Sequence, residues 1–418
     1  MDIKHIYAQY LSHPQICTDT RNIVPDSIFV CLKGERFDGN QFALSALEQG
    51  AACVITENRT LADNPRCIVV ENSLETLQQL AAYHRQQLTI PVIGITGTNG
   101  KTTTKELVST VLAQKYRTAY TRGNLNNHIG VPLTLLSIKL SDEIAIVEMG
   151  ANHPGEIADL CAIARPNYGL VTNVGKAHIE GFGSEAEIIH TKKALYRSVI
   201  HDHGTLFVNI NDQKLRDGLE YDKVVYYAEG GEDNIVNMSP YLRIRVAGHE
   251  TETHLTGSYN IYNFLAAAAV GQYFGVSDEQ IAEALGQYEP SNHRSQVNKI
   301  GTNVIISDYY NANPTSMEAA VRNLAKLDHP RKLAILGDMR ELGPVSREEH
   351  LKIIQLCETL HLDAIFVGSE FSAHQPEYRY PDADALNEAL KAQPITDSLI
   401  LIKGSNSMHL DKLSALLQ

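Results

Sequence analysis

Ile90-Pro91-Val92-Ile93-Gly94-Ile95-Thr96-Gly97-Thr98-Asn99-Gly100-Lys101-Thr102-Thr103 runs from an apolar stretch through a glycine-bearing turn into a helical pattern. The apolar part suits a strand buried on both faces, as in parallel sheets, and a helix is expected from Lys101. Between such a strand and helix lies the place where a phosphate-binding loop belongs. Glycines let backbone N–H groups turn inward on the phosphates, and the helix N-terminus adds the positive end of its dipole. Lys101 neutralises charge, and the Thr102 hydroxyl can ligate magnesium. The candidate nucleotide-binding residues are therefore Gly97, Thr98, Asn99, Gly100, Lys101, Thr102 and Thr103. The loop departs from the strict pattern, in which four residues separate the first glycine from Gly-Lys. That position is Ile95, and Gly94 falls one place too early.

Working outward, the apolar runs Ile144 to Met149, Tyr168 to Val174 and Thr205 to Ile210 read as further parallel strands. Helical patterns lie between them at Gly155 to Ala164 and Glu185 to Val199. Asn260 to Phe274 reads as a buried alanine-rich helix. Ser277 with Gln280 three residues on has the form of a capping box opening another helix. Before this central part, short strands at Ser27 to Leu32 and Ala52 to Thr56 and a helix at Leu74 to Gln87 form a small α/β unit. After it, strands are expected at Asn303 to Ser307, Lys332 to Leu336, Ala364 to Val367 and Leu399 to Ile402. Helices are expected at 314 to 327, 346 to 361, 383 to 392 and 408 to 417. That alternation predicts an open, mostly parallel, Rossmann-like sheet, with ligands at the carboxyl ends of its strands. The expected fold is α/β in three domains: 1–88, a central phosphate-loop domain over 89–296, and 297–418. A chain of 418 residues exceeds the size of one ordinary core.

Composition narrows the function. Hydrophobic residues at 43% and charged residues at 20% indicate a soluble globular chain. The most apolar helical stretch, Phe264 to Val276, is broken by Gly271, Gln272 and Gly275, so no membrane partner is expected. Met1 to Tyr10 has no long apolar stretch, and a cytoplasmic location is expected. The balance of 36 basic against 49 acidic residues, a net −13, opposes nucleic-acid binding. Cysteines 17, 31, 53, 67, 161 and 357 form no Cys-x-x-Cys pair and read as core thiols.

Two more residues stand at strand ends. Glu148 closes the run Ile144-Ala145-Ile146-Val147, where its carboxylate can be a magnesium ligand or a solvated strand end. His178 follows another strand in Asn173-Val174-Gly175-Lys176-Ala177-His178, and position alone leaves it open between a structural and a ligating role.

Several stretches together resemble the Mur ligase family over nearly the whole chain. They are Thr18-Asp19-Thr20-Arg21, Leu32 to Gly39, the loop from Gly94 to Thr104, Gly123-Asn124-Leu125-Asn126-Asn127, Glu148 to His153 and Ala177 to Gly183. The irregular phosphate loop is the form this family uses. Asp308-Tyr309-Tyr310-Asn311-Ala312-Asn313-Pro314 and Leu336 to Gly343 look like the branch that adds D-alanyl-D-alanine to UDP-N-acetylmuramoyl-tripeptide. Asp-Asn-Pro-Arg, a mark of the diamino-acid-adding branch in its last domain, occurs here at Asp63 to Arg66 in the first domain and is read as coincidence.

The resemblance implies an ATP-dependent ligase working through an acyl phosphate in peptidoglycan precursor synthesis; a monomer is expected, though the sequence itself does not give the oligomeric state. Asp19, Thr20 and Arg21 would hold the UDP part, though they suit a turn equally well. Lys101, Thr102 and Glu148 would hold ATP and one magnesium ion. His178 would join Lys192, the position at which the family carries a carbamylated lysine, at a second ion. Where relatives show Lys-x-Glu, this chain has Lys192-Lys193-Ala194, which makes Lys193 a rival. Asn263 would read the adenine, Asp308 the ribose, and Arg294 would face the transferred phosphate. Asn311 and Asn313 would meet substrate. Another ligase of the superfamily, diamino-acid-adding or folylpolyglutamate-type, is the nearest alternative. A nucleotide-driven switch would share the loop, but no Asn-Lys-x-Asp is present.

Overall fold

The computed structural model describes residues 2–35, 37–290, 294–374 and 379–413. It is an α/β structure whose sheets follow one another along the chain. The first has four parallel strands in spatial order Ile16–Cys17, Ile28–Val30, Cys53–Thr56 and Cys67–Val69. The second has six parallel strands in the order Val224–Tyr227, Thr205–Asn209, Tyr168–Val171, Val92–Thr96, Ile144–Glu148 and Thr118–Tyr120. Val92–Thr96 is interior to that sheet and all of its residues are buried, as its unbroken apolar run requires. Its carboxyl end is therefore the floor on which the glycine-bearing turn sits.

The third large sheet has the order Gln296–Ile300, Asn303–Asp308, Leu399–Lys403, Lys332–Gly337, Asp363–Val367 and Arg379–Tyr380. All its neighbours are parallel except the first pair, an antiparallel hairpin. That edge strand was not expected, because Gln296-Val297-Asn298-Lys299-Ile300 is mostly polar and only half buried. A small antiparallel sheet of Ile235–Asn237, Arg243–Val246 and His249–Glu252 precedes the helix Ile261–Tyr273. The expected capping box is present, with Ser277 and Gln280 bonded reciprocally.

Two expectations are corrected. The helix read over Glu185 to Val199 is two helices, Glu185–Lys192 and Ala194–His201. The apolar period runs through the joint, and Lys193 N still donates to Ile189 O at 3.0 Å. The interruption lies in the backbone of Lys193, whose ψ of −8° is far from the helical value of about −42°. The helix read over 408 to 417 is, in its described part, two 3-10 turns, Asn406–Met408 and Leu410–Leu413, and the rest lies outside the described residues. His409 between them is left-handed at φ 52°, which no α-helix accommodates.

The first and central units share a core. Helix Ser73–Gln87 packs on helices Gly130–Leu136 and Glu156–Ala164. From it, buried Arg85 donates to the carbonyls of Leu88, Ala164 and Arg165 and to Asn167 Oδ1. Asn167 Oδ1 also accepts from Val92 N at 3.0 Å, so the strand that feeds the loop is tied at its start to the first unit. Arg66, from the Asp63 to Arg66 tetrapeptide, donates to the backbone of Leu47, Ala51 and Ala52 within the first unit, a structural use that accounts for it there. All six cysteines are free and buried. Among the described residues, no helix is long and apolar enough to cross a membrane.

Candidate functional site

Gly97 and Gly100 both have positive φ, 148° and 78°, and each has a neighbour where a side chain would go. A Cβ on Gly97 would meet Thr172 Oγ1 at 2.0 Å, and one on Gly100 would meet Asn263 Oδ1 at 2.6 Å. The turn is thus built for glycine at both places. It is stapled to the segment after strand Tyr168–Val171. Thr98 N donates to Asn173 O at 2.9 Å, Asn99 N to Asn173 Oδ1 at 3.0 Å, and Thr172 Oγ1 to Asn99 O at 2.6 Å. Gly100 is the N-cap of helix Lys101–Leu112, whose first amides have no carbonyl within the helix and face the turn.

Lys101 Nζ folds back on the carbonyls of Gly97 and Thr98, at 2.9 and 3.0 Å. Burial pushes its pKa down to about 8, with Glu148 opposing the shift and Arg294 adding to it. A desolvated ammonium held only by neutral carbonyls is poised for an anionic partner. Thr102 lies beneath it, its hydroxyl 3.1 Å from Glu148 Oε1. Glu148 is fully buried, and the same oxygen accepts from Asn126 Nδ2 at 2.8 Å. Its Oε2 is buried with no hydrogen-bond partner among the described residues. An orphaned carboxylate oxygen beside a threonine hydroxyl fits a hard divalent cation. No cluster of three or more His, Cys, Asp or Glu among the described residues could hold an ion unaided, so phosphate and water would complete its shell.

These groups open on a cavity of about 870 Å³. One wall carries Thr98, Asn99, Gly100, Lys101, Thr103 and Glu148; the other carries Arg294, Asp308, Asn311, Asn313 and Lys403 from the last sheet. His178 and Asn263 also line it. Gly97, Thr102 and Lys192 lie behind the surface, and Asp19, Thr20 and Arg21 do not reach it. Asp19 caps the turn Thr20–Asn22 and forms an ion pair with Arg21 at 2.6 Å, which holds the Asp19 carboxyl at about 2.

Asp308 ends its strand as Glu148 ends its own, and its Oδ2 accepts from Lys403 Nζ at 2.7 Å. Lys403 closes the neighbouring strand, is buried, and also donates to Asn311 O at 3.1 Å. The guanidinium of Arg294 lies 4.0 Å over the Tyr310 ring, and its Nε has no partner among the described residues. Asn263 accepts from Thr104 Oγ1 at 3.0 Å and donates to Asn260 Oδ1 at 2.8 Å, so part of its amide serves the protein interior. His178 is left-handed at φ 50°, and its Nδ1 is hydrogen-bonded to the Glu341 carboxylate. An ionised carboxylate only accepts, so Nδ1 carries the proton and Nε2 is left available.

Lys192 is 2% exposed and, among the described residues, donates only to Ala151 O, at 3.3 Å, with its ammonium 5.6 Å from the Phe182 ring centre. Burial, reinforced by Lys101, drives its pKa well down. Lys193 instead donates to Asp217 O at 2.7 Å, away from the cavity lining. Asn126, Glu341 and Lys403 were not singled out from the sequence. Lys403 follows an apolar strand just as Glu148 does, the one local signal that points to it.

Three family patterns cover most of the chain. The Mur ligase family catalytic domain matches residues 14–94, the Mur ligase middle domain 95–271, and the Mur ligase glutamate ligase domain 293–406. The UDP-N-acetylmuramoyl-tripeptide–D-alanyl-D-alanine ligase of Bacillus subtilis is 34% identical over 97% of this chain and 93% of its own. The Escherichia coli enzyme of that name is 34% identical over 96% and 93%. A crystal structure of MurF from Acinetobacter baumannii superposes with a TM-score of 0.86 at 32% identity, covering 96% of this chain and 93% of that one. The Thermotoga maritima MurF ligase in complex with ADP gives 0.83 at 26% identity, covering 97% of each. With the phosphate loop, the facing wall from the last sheet and these matches in agreement, the chain belongs to the Mur ligase family.

Proposed function

We propose that this Mur ligase joins the amine of D-alanyl-D-alanine to the terminal carboxylate of UDP-N-acetylmuramoyl-tripeptide, converting ATP to ADP and phosphate, in peptidoglycan precursor synthesis. The observation that carries the reading is the single cavity with the phosphate loop on one wall and Arg294, Asp308 and Asn313 on the other. Similarity to D-alanyl-D-alanine ligases over more than nine-tenths of the chain supports the choice of substrates. In this reading residues 1–88 hold the UDP-substrate through Asp19, Thr20 and Arg21, residues 89–296 hold ATP, and residues 297–418 hold the amine. The protein acts as a monomer in the cytoplasm.

The tripeptide carboxylate attacks the γ-phosphorus, the bond to ADP breaks, and an acyl phosphate forms. The amine then attacks that carbonyl, phosphate leaves, and the amine gives up its proton. Lys101 and the first amides of its helix hold the phosphates, and Arg294 faces the transferred group, so that charge is met as it develops. Asp308 meets the ribose, Asn263 the adenine, and Asn311 and Asn313 the incoming substrate. Magnesium, held by Thr102 and Glu148 and at a second position by His178 and a carbamylated Lys192, would supply charge neutralisation on the phosphates. Burial favours the neutral amine of Lys192, the form that adds carbon dioxide with formation of an N–C bond and loss of a proton. The Asn99–Asn313, His178–Glu341 and Lys176–Glu349 contacts join the central and last units beside the reacting groups, and exclusion of water there would protect the acyl phosphate from hydrolysis.

Incubation with ATP, magnesium, UDP-N-acetylmuramoyl-tripeptide and an equal mixture of D-alanyl-D-alanine, diaminopimelate, lysine and glutamate tests the reading. The expected product mass is that of the D-alanyl-D-alanine adduct alone. A diamino-acid or glutamate adduct would move the chain to another branch, and ATP hydrolysis indifferent to both substrates would remove it from the ligases.

A further inference from the structure

A second, smaller cavity of about 290 Å³ adjoins the first. His178, Asn311 and Asn313 line both, so the two share a wall. Arg340, Glu341 and Ser405 to Ser407 line only the smaller one, together with Ala177 and Ala312. Its volume lies at the lower end of small-molecule sites, and it pairs a cation with hydroxyls and two methyl-sized surfaces.

Arg340 is the unusual member. Its side chain is 48% exposed, and its closest side-chain contacts are the Met408 sulfur at 3.6 Å and Asp338 Oδ2 at a loose 3.9 Å. Asp338 is committed elsewhere, accepting from Glu370 N and Phe371 N at 3.2 Å each. Among the described residues, the guanidinium therefore keeps a planar fork free for a carboxylate. Ser405 Oγ accepts from Arg340 N at 3.0 Å, which leaves its own hydrogen to donate. Glu341, next in sequence and lining the same cavity, is paired with His178, a residue of the shared wall.

We infer that the smaller cavity is the seat of the amine substrate, with the free carboxylate of D-alanyl-D-alanine bound by Arg340 and the hydroxyls of Ser405 and Ser407. The inference rests on the reading of the chain as a D-alanyl-D-alanine ligase and assigns Arg340 as its carboxylate-binding residue. The charge pattern orients the dipeptide. Its carboxylate meets the cation in the smaller cavity, and its amine lies toward the Glu341–His178 pair, at the wall beyond which the acyl phosphate forms. Ala177 and Ala312 leave room for the methyl groups and little for a longer side chain.

Steady-state kinetics with D-alanyl-D-alanine and its C-terminal amide, on wild type, Arg340→Ala and Arg340→Lys, test this. Wild type is expected to lose about ten- to one-hundredfold in kcat/KM on the amide, the range for a hydrogen-bonded charge pair. Arg340→Ala should lose a similar factor on the acid through KM and no longer distinguish acid from amide. Its KM for ATP and for the UDP-substrate should be unchanged, and Arg340→Lys should fall between, lacking the bidentate fork. Equal use of acid and amide by wild type, a comparison that needs no variant to fold, overturns the assignment. So does an Arg340→Ala enzyme that retains wild-type KM and discrimination. Absence of any D-alanyl-D-alanine adduct from wild type instead defeats the ligase reading, and this one with it.

Discussion

Asn313 Nδ2 donates to Asn99 Oδ1 at 2.8 Å, so the N-cap of helix Pro314–Lys326 is also a direct contact between the last sheet's unit and the phosphate loop. One side chain does two jobs, and substitutions separate them. Asn313→Ala loses both and should cost about 1 kcal/mol of stability for the cap. Asn313→Ser keeps a good cap but is too short for Asn99, so denaturant midpoints should stay near wild type. Both variants should lose turnover to a similar degree. If Asn313→Ser keeps full turnover, the cross-unit contact has no part in the reaction.

Lys101 gives a pH prediction. In the nucleotide-free protein its pKa is about 8, below the ordinary lysine value of 10.5. Below pH 8 it is already charged, and above pH 8 the neutral form predominates, so nucleotide phosphates must draw in a proton to form the ion pair. ATP affinity should therefore fall as pH rises through 8, and calorimetry in buffers of different ionisation heat should show proton uptake. The same depression makes folding less favourable for the charged form, so this group's contribution to stability rises with pH between about 8 and 10.5. Lys101→Met should abolish the proton uptake and most turnover, while binding of the UDP-substrate persists. Undiminished proton uptake in Lys101→Met would assign it to another group.

The Lys403–Asp308 pair predicts a stability effect that needs no nucleotide. Lys403 is 2% exposed and Asp308 faces the cavity, so Lys403→Met leaves a carboxylate without its cation. Breaking a buried pair on one side costs about 3 kcal/mol, and the double variant with Asp308→Asn should recover part of that. Denaturant unfolding of the two singles and the double measures the coupling, and additive losses would mean the pair has none.

These residues also show what a sequence can and cannot carry. The Ile90 to Thr103 stretch was legible because strand burial, glycine at a turn and a helix start are all local. Glu148 was legible because a charge ending an apolar run stands at a sheet edge. Asn126 beside Glu148, Glu341 on His178 and Asn313 on Asn99 are 22, 163 and 214 residues apart in the chain. Such pairs are set by tertiary packing within and between units, which no local period encodes. Lys192 shows the same limit from the other side: the family resemblance implied a ligand there, while its burial appears only once helix Glu185–Lys192 is packed.

That burial supplies the last prediction, that Lys192 and not Lys193 carries a carbamate. Lys192 is desolvated, its hydrogen bond goes to the Ala151 carbonyl, and burial drives its pKa down, toward the neutral amine that adds carbon dioxide. Lys193 is half-buried and donates to Asp217 O outside the cavity. Protein exposed to isotopically labelled bicarbonate should show one carbamate resonance, absent in Lys192→Ala and retained in Lys193→Ala. Lys192→Ala should lose most activity, because the modified side chain supplies an anionic oxygen that alanine cannot. A small carboxylate such as acetate can enter the vacated space, and it should restore part of the activity of Lys192→Ala but none of that of Lys101→Ala. The resonance reports the modification without relying on turnover, and the rescue separates a missing oxygen from a damaged fold. A carbamate signal that survives in Lys192→Ala, or a Lys192→Ala enzyme with nearly full activity, would falsify the assignment.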